Sequence, residues 1–322
     1  MVGWVVLALA LVAFALNVVI PYLLSKLAIP FFEADAPLRP RTEPVDPDAR
    51  QDWCVTADGV RLALAVWNED ASSSRPVVVF CPESGGDRWL AGHYAAGLIA
   101  DGFPVVSFDF RGLGDSESTP GYEPTHWLSD REVTDLRGVL DWVAGQASLA
   151  GRRLGLFGVS RGAGAALYVA AVDGRSESIV ADGAYSAHAL TMRYLQKWGA
   201  LSVPRWVIEY VPDWHLGLTM DFARLSSGRR HGCRYPDLAR VLPRLRGRAV
   251  RLIAGRRDSY IPREVTDVVA KACGTVDLHV VPKARHNGAR DVDPEAYDRL
   301  VVEAFAAAER FSAGEVVSAS RL

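Results

Sequence analysis

Hydrophobic and polar positions divide the chain unevenly. The first 32 residues hold 26 hydrophobic ones, and no charged side chain occurs before Lys26. At the helical rise of about 1.5 Å per residue, such a run is long enough to cross a hydrocarbon core of about 30 Å. It predicts an uncleaved transmembrane helix over 1–32. A signal peptide would carry a basic segment ahead of the apolar run, and none precedes this one. Ala13-Phe14-Ala15 has the small-x-small form of a cleavage site, but the apolar run continues past it. Lys26, Arg39 and Arg41 follow the span. By the positive-inside tendency they put the rest of the chain on the cytoplasmic side. Pro37, Pro40, Pro44 and Pro47 then break up a charged stretch and predict an extended linker over 33–51.

From Asp52 onward the pattern changes. Arg61–Asn68 alternates and follows the turn signal Asp58-Gly59. Short runs rich in Val, Ile or Phe recur at 77–81, 104–110, 154–159, 179–184, 249–254 and 276–281. Several are almost continuously apolar, as strands covered on both faces are. Helical patterns lie between them. Trp89–Ala100 stops at Asp101-Gly102, Ser129 and Glu132 form a capping box for a helix to about Ala144, and Asp293-Pro294 opens the last helix. This alternation predicts an α/β fold, a doubly wound and mostly parallel sheet over 52–311, with a tail at 312–322. One stretch breaks the rhythm. Residues 187–247 are too long for a strand–helix connection and rich in aromatics (Tyr194, Trp198, Trp206, Tyr210, Trp214, Tyr235), which predicts a small helical cap with its own packing. The cap carries ten Lys or Arg against four acids, a net +6 inside a chain whose total is −2.

That near-neutral total argues against a dedicated nucleic-acid binder, and 23% charged residues against a disordered chain. Cys54, Cys81, Cys233 and Cys273 are scattered with no C-x-x-C pair, which excludes a zinc ribbon or a dense disulfide framework. The chemistry concentrates elsewhere. Gly158-Val159-Ser160-Arg161-Gly162 fits G-x-S-x-G, directly after the apolar run Leu154–Phe157 and directly before the helical Ala163–Ala171. Strand, sharp turn and helix in that order are what a nucleophile elbow needs, with Ser160 at the tip. A serine hydroxyl needs a base, and the base an orienting acid. Among seven histidines, His286 lies in a loop after the last predicted strand, where catalytic groups of a parallel sheet converge. Asp258, in the loop after 249–254, is the acid candidate, with Asp182 in reserve. An oxyanion would be met by the N–H of Arg161 and by a second from Cys81-Pro82-Glu83-Ser84-Gly85-Gly86, that of Glu83 or alternatively Ser84. Pro82 has no N–H to give.

These residues, together with Asp109-Phe110-Arg111-Gly112-Leu113-Gly114-Asp115-Ser116, resemble the α/β-hydrolase superfamily over roughly 52–311. The last segment is similar to that family's D-x-R-G-x-G-x-S loop. The nearest likeness is to the serine-aminopeptidase-like and dienelactone-hydrolase-like branch, which includes members anchored by one N-terminal helix and capped between strands six and seven. The family's His-Gly-x-x-Gly oxyanion loop is altered here, with Cys81-Pro82 in place of His-Gly and Gly85 in register. The resemblance implies a serine hydrolase that cleaves an ester, thioester or amide through an acyl-enzyme, with no cofactor and no metal. The implied partner is a small-molecule or lipid acyl substrate. The charge of the cap itself fits two readings, an entrance for substrates with an anionic end or a solvated face that docks on anionic lipid headgroups. An acyltransferase, or a non-catalytic tethered binding protein on the same fold, is the alternative.

Overall fold

The six apolar runs from Val77 to Val281 become the parallel strands of one eight-stranded sheet. The structure, a computed structural model, describes residues 2–34, 40–70, 75–198, 210–274 and 277–312. Pro37, Arg39, Arg205, Trp206 and the tail beyond Ser312 lie outside the described residues. The strands are β1 (Arg50–Val55), β2 (Arg61–Trp67), β3 (Val77–Cys81), β4 (Val105–Phe108), β5 (Leu154–Val159), β6 (Ser178–Asp182), β7 (Ala249–Gly255) and β8 (Leu278–Val281). The helices longer than ten residues are α1 (Val2–Glu33), α2 (Asp130–Gly145), α3 (Arg161–Asp173), α4 (Ala187–Trp198), α5 (Asp213–Arg230), α6 (Arg263–Cys273) and α7 (Pro294–Ser312).

The sheet order is β1-β2-β4-β3-β5-β6-β7-β8, with β2 antiparallel to both of its neighbours. Every residue of β3, β4, β5 and β6 is buried, so these strands carry apolar side chains on both faces. β1 went unmarked by the hydrophobic pattern, and its first two residues fall inside the stretch read as linker. It is an edge strand whose residues are mostly exposed or half-buried, so nothing forces them to be apolar. One face of the sheet packs on α2, α3 and α6, and the other on the helical turns of 88–100 and on α7. The expected helix Trp89–Ala100 is split into three short pieces, the first capped by Asp87, whose carboxylate accepts from Trp89 N–H. The capping box of α2 forms as read: Ser129 N–H donates to Glu132 Oε2 (2.7 Å) and Arg131 N–H to Ser129 Oγ (3.1 Å).

The D-x-R-G-x-G-x-S loop is a buried polar knot behind the site. Asp109 accepts from Arg88 N–H (2.6 Å) and Asp115 N–H (2.9 Å), while Arg111 is gripped by Asp58 and Asp135. Each buried charge is thereby paired, which holds Leu113 at the cavity wall.

The insertion is helical, but it does not pack by itself. α5 lies along the second half of α1, and Phe222 meets Tyr22 edge-on at 5.9 Å. Ala28, Ile29 and Phe32 of α1 share a core cluster with Trp127, Tyr185, Met220 and Tyr235. Phe32 stacks on Trp127 at 4.8 Å, and the Trp127 Nε1–H donates to the Phe32 carbonyl (2.7 Å). The segment read as an anchor therefore ends as a structural part of the cap. From Val2 to Val19, by contrast, no residue is buried. The following linker is docked too. Pro40 lies against Gly85, and Arg41 binds Asp291 (2.6 Å).

Candidate active site

The site begins with the turn after β5. Ser160 has φ 53° and ψ −115°, a left-handed conformation that an L-residue adopts only at a cost of about 1–3 kcal/mol. Two glycines make the turn possible by close approach. A Cβ on Gly158 would stand 2.3 Å from the Gly162 carbonyl oxygen, and one on Gly162 would stand 2.1 Å from the Cys81 carbonyl oxygen. The elbow is thereby pressed against the end of β3, where the Cys81–Gly86 loop begins.

The structure brings Ser160, His286 and Asp258 together from three loops. Ser160 Oγ–H donates to His286 Nε2 (2.9 Å), and His286 Nδ1–H donates to Asp258 Oδ2 (2.6 Å). Asp258 Oδ1 is fixed by the N–H groups of Tyr260 (2.9 Å) and Ile261 (2.7 Å), so its carboxylate has one orientation. Both His286 and Asp258 are buried. The reserve candidate, Asp182, does not take this role. Its Oδ2 accepts from the Tyr297 hydroxyl (2.8 Å), while the His286 Nδ1–H goes to Asp258. Complete burial pushes its carboxyl up to about 7. A carboxyl raised in the folded state holds a proton that the unfolded chain releases, so its contribution to stability is lost as pH rises through about 7. Asp182→Asn should therefore flatten the loss of thermal stability between acid and neutral pH, which melting curves at both values would show.

Arg161 N–H opens α3, and among the described residues no backbone carbonyl takes it or the N–H groups of Glu83 and Ser84. All three residues line one cavity of about 690 Å³ with Ser160 and His286. The Glu83 side chain has a further role that the sequence did not signal. Its buried carboxyl accepts from the backbone N–H of Arg41 (3.2 Å) and from the side-chain amide of Asn287. It thus ties the linker to the loop beside Ser160 and to the residue after His286. Burial raises its pKa above the usual carboxylate range. Glu83→Ala leaves two donors without their acceptor and should cost about 1–3 kcal/mol, read by denaturant unfolding.

The cavity wall corrects the expectation of a basic cap over the substrate. Among the insertion's described residues only His231 reaches it, held between Glu33 (3.5 Å) and Glu123 (3.7 Å). Arg230 pairs with Glu33 of the wall without lining the cavity itself, and Arg224 is engaged with Asp221 and the Tyr235 carbonyl. The lining carries four acids (Glu33, Glu83, Glu123, Asp291) and two arginines, Arg41 paired with Asp291 and Arg161 with Glu132 (3.4 Å). Glu33 and Arg41 both come from the segment read as linker, Glu33 as the last residue of α1. Only the chain path past the elbow brings them there.

The comparisons agree with this fold. The sequence model of the family described as X-Pro dipeptidyl-peptidase (S15 family) matches residues 58–215. An Escherichia coli protein, described as an uncharacterized 31.7 kDa protein in the traX-finO intergenic region, is 28% identical over 131 residues. That match covers 40% of this chain and 44% of the relative, so the chain matches less than half the length of its curated relative. Among solved structures, the Pyrococcus furiosus esterase Pf2001 superposes with a TM-score of 0.60 at 21% identity, covering 85% of this chain and 99% of the esterase. The enol-lactonase of Burkholderia xenovorans LB400 does so with a TM-score of 0.53 at 17% identity, over 79% of this chain and all (100%) of the lactonase. With its sheet order and elbow, the chain has the α/β-hydrolase fold.

Proposed function

We propose that the protein is a serine hydrolase tethered to a membrane by the first part of α1. The observation that carries the catalytic reading is the unbroken chain of hydrogen bonds from Ser160 through His286 to Asp258, set at a strained elbow. Ser160 Oγ attacks an acyl carbonyl while His286 Nε2 takes its proton. The proton then passes to the leaving group, and water releases the acid by the same route. Asp258 holds the imidazole with Nδ1 protonated and steadies the imidazolium. The N–H groups of Arg161 and Glu83 meet the oxyanion. None of these steps requires a cofactor or metal.

The cavity, at about 690 Å³, has the size of a small-molecule site. Its acidic lining favours uncharged acyl groups over anionic ones. The esterase and lactonase likenesses support an ester substrate, and the S15 match makes an amide the second reading. A fluorophosphonate probe should label the protein once, with the adduct on Ser160 by peptide mass mapping. A panel of esters, thioesters and peptides then ranks the bond type, and a label elsewhere overturns the assignment.

A further inference from the structure

α5 runs parallel to the second half of α1 and beside it. Arg230 pairs with Glu33 (3.3 Å), Phe222 meets Tyr22, and at the far end the His215 Nε2–H donates to the Leu16 carbonyl (2.8 Å). The first turn of α5 is therefore level with Leu16, inside the stretch Val2–Val19 that has no buried residue. That last hydrogen bond has a local cause. α1 contains a π-turn at Ala15–Val19, where the Ile20 N–H reaches back to Ala15 O. The next residue is Pro21, which has no N–H. The Leu16 carbonyl thus loses its donor within the helix, and His215 supplies one. In water this would matter little, but in lipid an unmet carbonyl is costly.

The surface around this contact is apolar and aromatic. Trp214 is 59% exposed and Tyr210 82%. Along α5 the arginines (Arg224, Arg229, Arg230) come only in its second half, away from Leu16. Asp213 is the one acid in its first turn, where a helix N-terminus accommodates it. Lys26, over the Tyr22 ring at 5.0 Å, is the first cation on α1. On the outer face of α1, Leu23, Leu27 and Phe31 remain exposed, so apolar surface continues past the unburied stretch Val2–Val19.

We infer that the tip of the cap, Tyr210 to His215, is a second bilayer-contacting element, seated in the interfacial layer with Tyr210 and Trp214 as its aromatic anchors. This rests on the reading of α1 as a membrane span. The occupant of the surface is a lipid bilayer because the tip is continuous with the unburied apolar stretch of α1. Two contacts in place of one hold the domain at a fixed height. Glu33, in the cavity wall, stands about 26 Å along the helix axis from Leu16. The cavity is thereby set clear of the hydrocarbon.

The test uses the full chain in phosphatidylcholine–phosphatidylglycerol vesicles. Single cysteines in place of Leu9, Trp214 and Val268 carry an environment-sensitive fluorophore, and phospholipid with a nitroxide near the headgroup end of its acyl chain is the quencher. The four native cysteines are buried, and the unsubstituted chain gives their background. Emission at 214 should fall by about half, that at 9 should fall as well, and that at the exposed Val268 should stay unchanged. Quenching at 9 but not at 214 would overturn the inference and leave the span intact. Quenching at neither would overturn both. Tyr210→Cys serves as a second reporter of the tip, and should Trp214→Cys fail to fold, quenching or its absence at 210 decides in the same way.

Discussion

Ser160→Ala should lower kcat by about 10⁴–10⁶-fold and abolish fluorophosphonate labelling without loss of fold. The hydroxyl is the only group at the elbow tip with a hydrogen bond to His286 Nε2, so no neighbour can take over the attack. The residual rate comes from binding and the N–H groups of Arg161 and Glu83. Ser160→Gly should be equally inactive but more stable. At φ 53° and ψ −115° a glycine relieves the backbone strain of about 1–3 kcal/mol. Measuring turnover and melting temperature on both variants separates the two effects. Full activity in either variant would rule out Ser160 as the nucleophile, and equal stability of the two would rule out stored strain at the elbow.

Phe32→Ala should destabilise the fold by about 3–5 kcal/mol. Phe32 is 2% exposed, stacked on Trp127 and edge-on to Tyr235 at 5.2 Å. Its removal leaves a cavity between α1 and the cap, beside Glu33 in the active-site wall. Activity should therefore fall along with stability. Phe31→Ala is the control, since its side chain is 69% exposed on the opposite side of the same turn and should be nearly neutral. If α1 were only a tether, both variants would melt alike in detergent.

The sequence marked what depends on local chemistry. The glycines around Ser160 follow from a turn that admits no Cβ at two positions, and the same reason makes G-x-S-x-G legible. The buried parallel strands showed as continuous apolar runs because both faces are covered. β1 did not show, because an edge strand facing solvent has no such constraint. Asp258 was set ahead of Asp182 only by its place in the loop after a strand, since both lie between Ser160 and His286 in the chain. In the structure the distinction is a hydrogen bond, to His286 for the one and from Tyr297 for the other.

By itself, then, the sequence determined the apolar span, the strand–helix alternation and the order of serine, acid and base, because each is written in neighbouring residues. Only the tertiary structure decided that Glu33, Arg41 and Asn287 meet around Ser160, that no described arginine of the basic cap lines the cavity, and that the end of α1 belongs to the core. These depend on which distant surfaces come together, and contacts between segments far apart in sequence leave no local pattern to read.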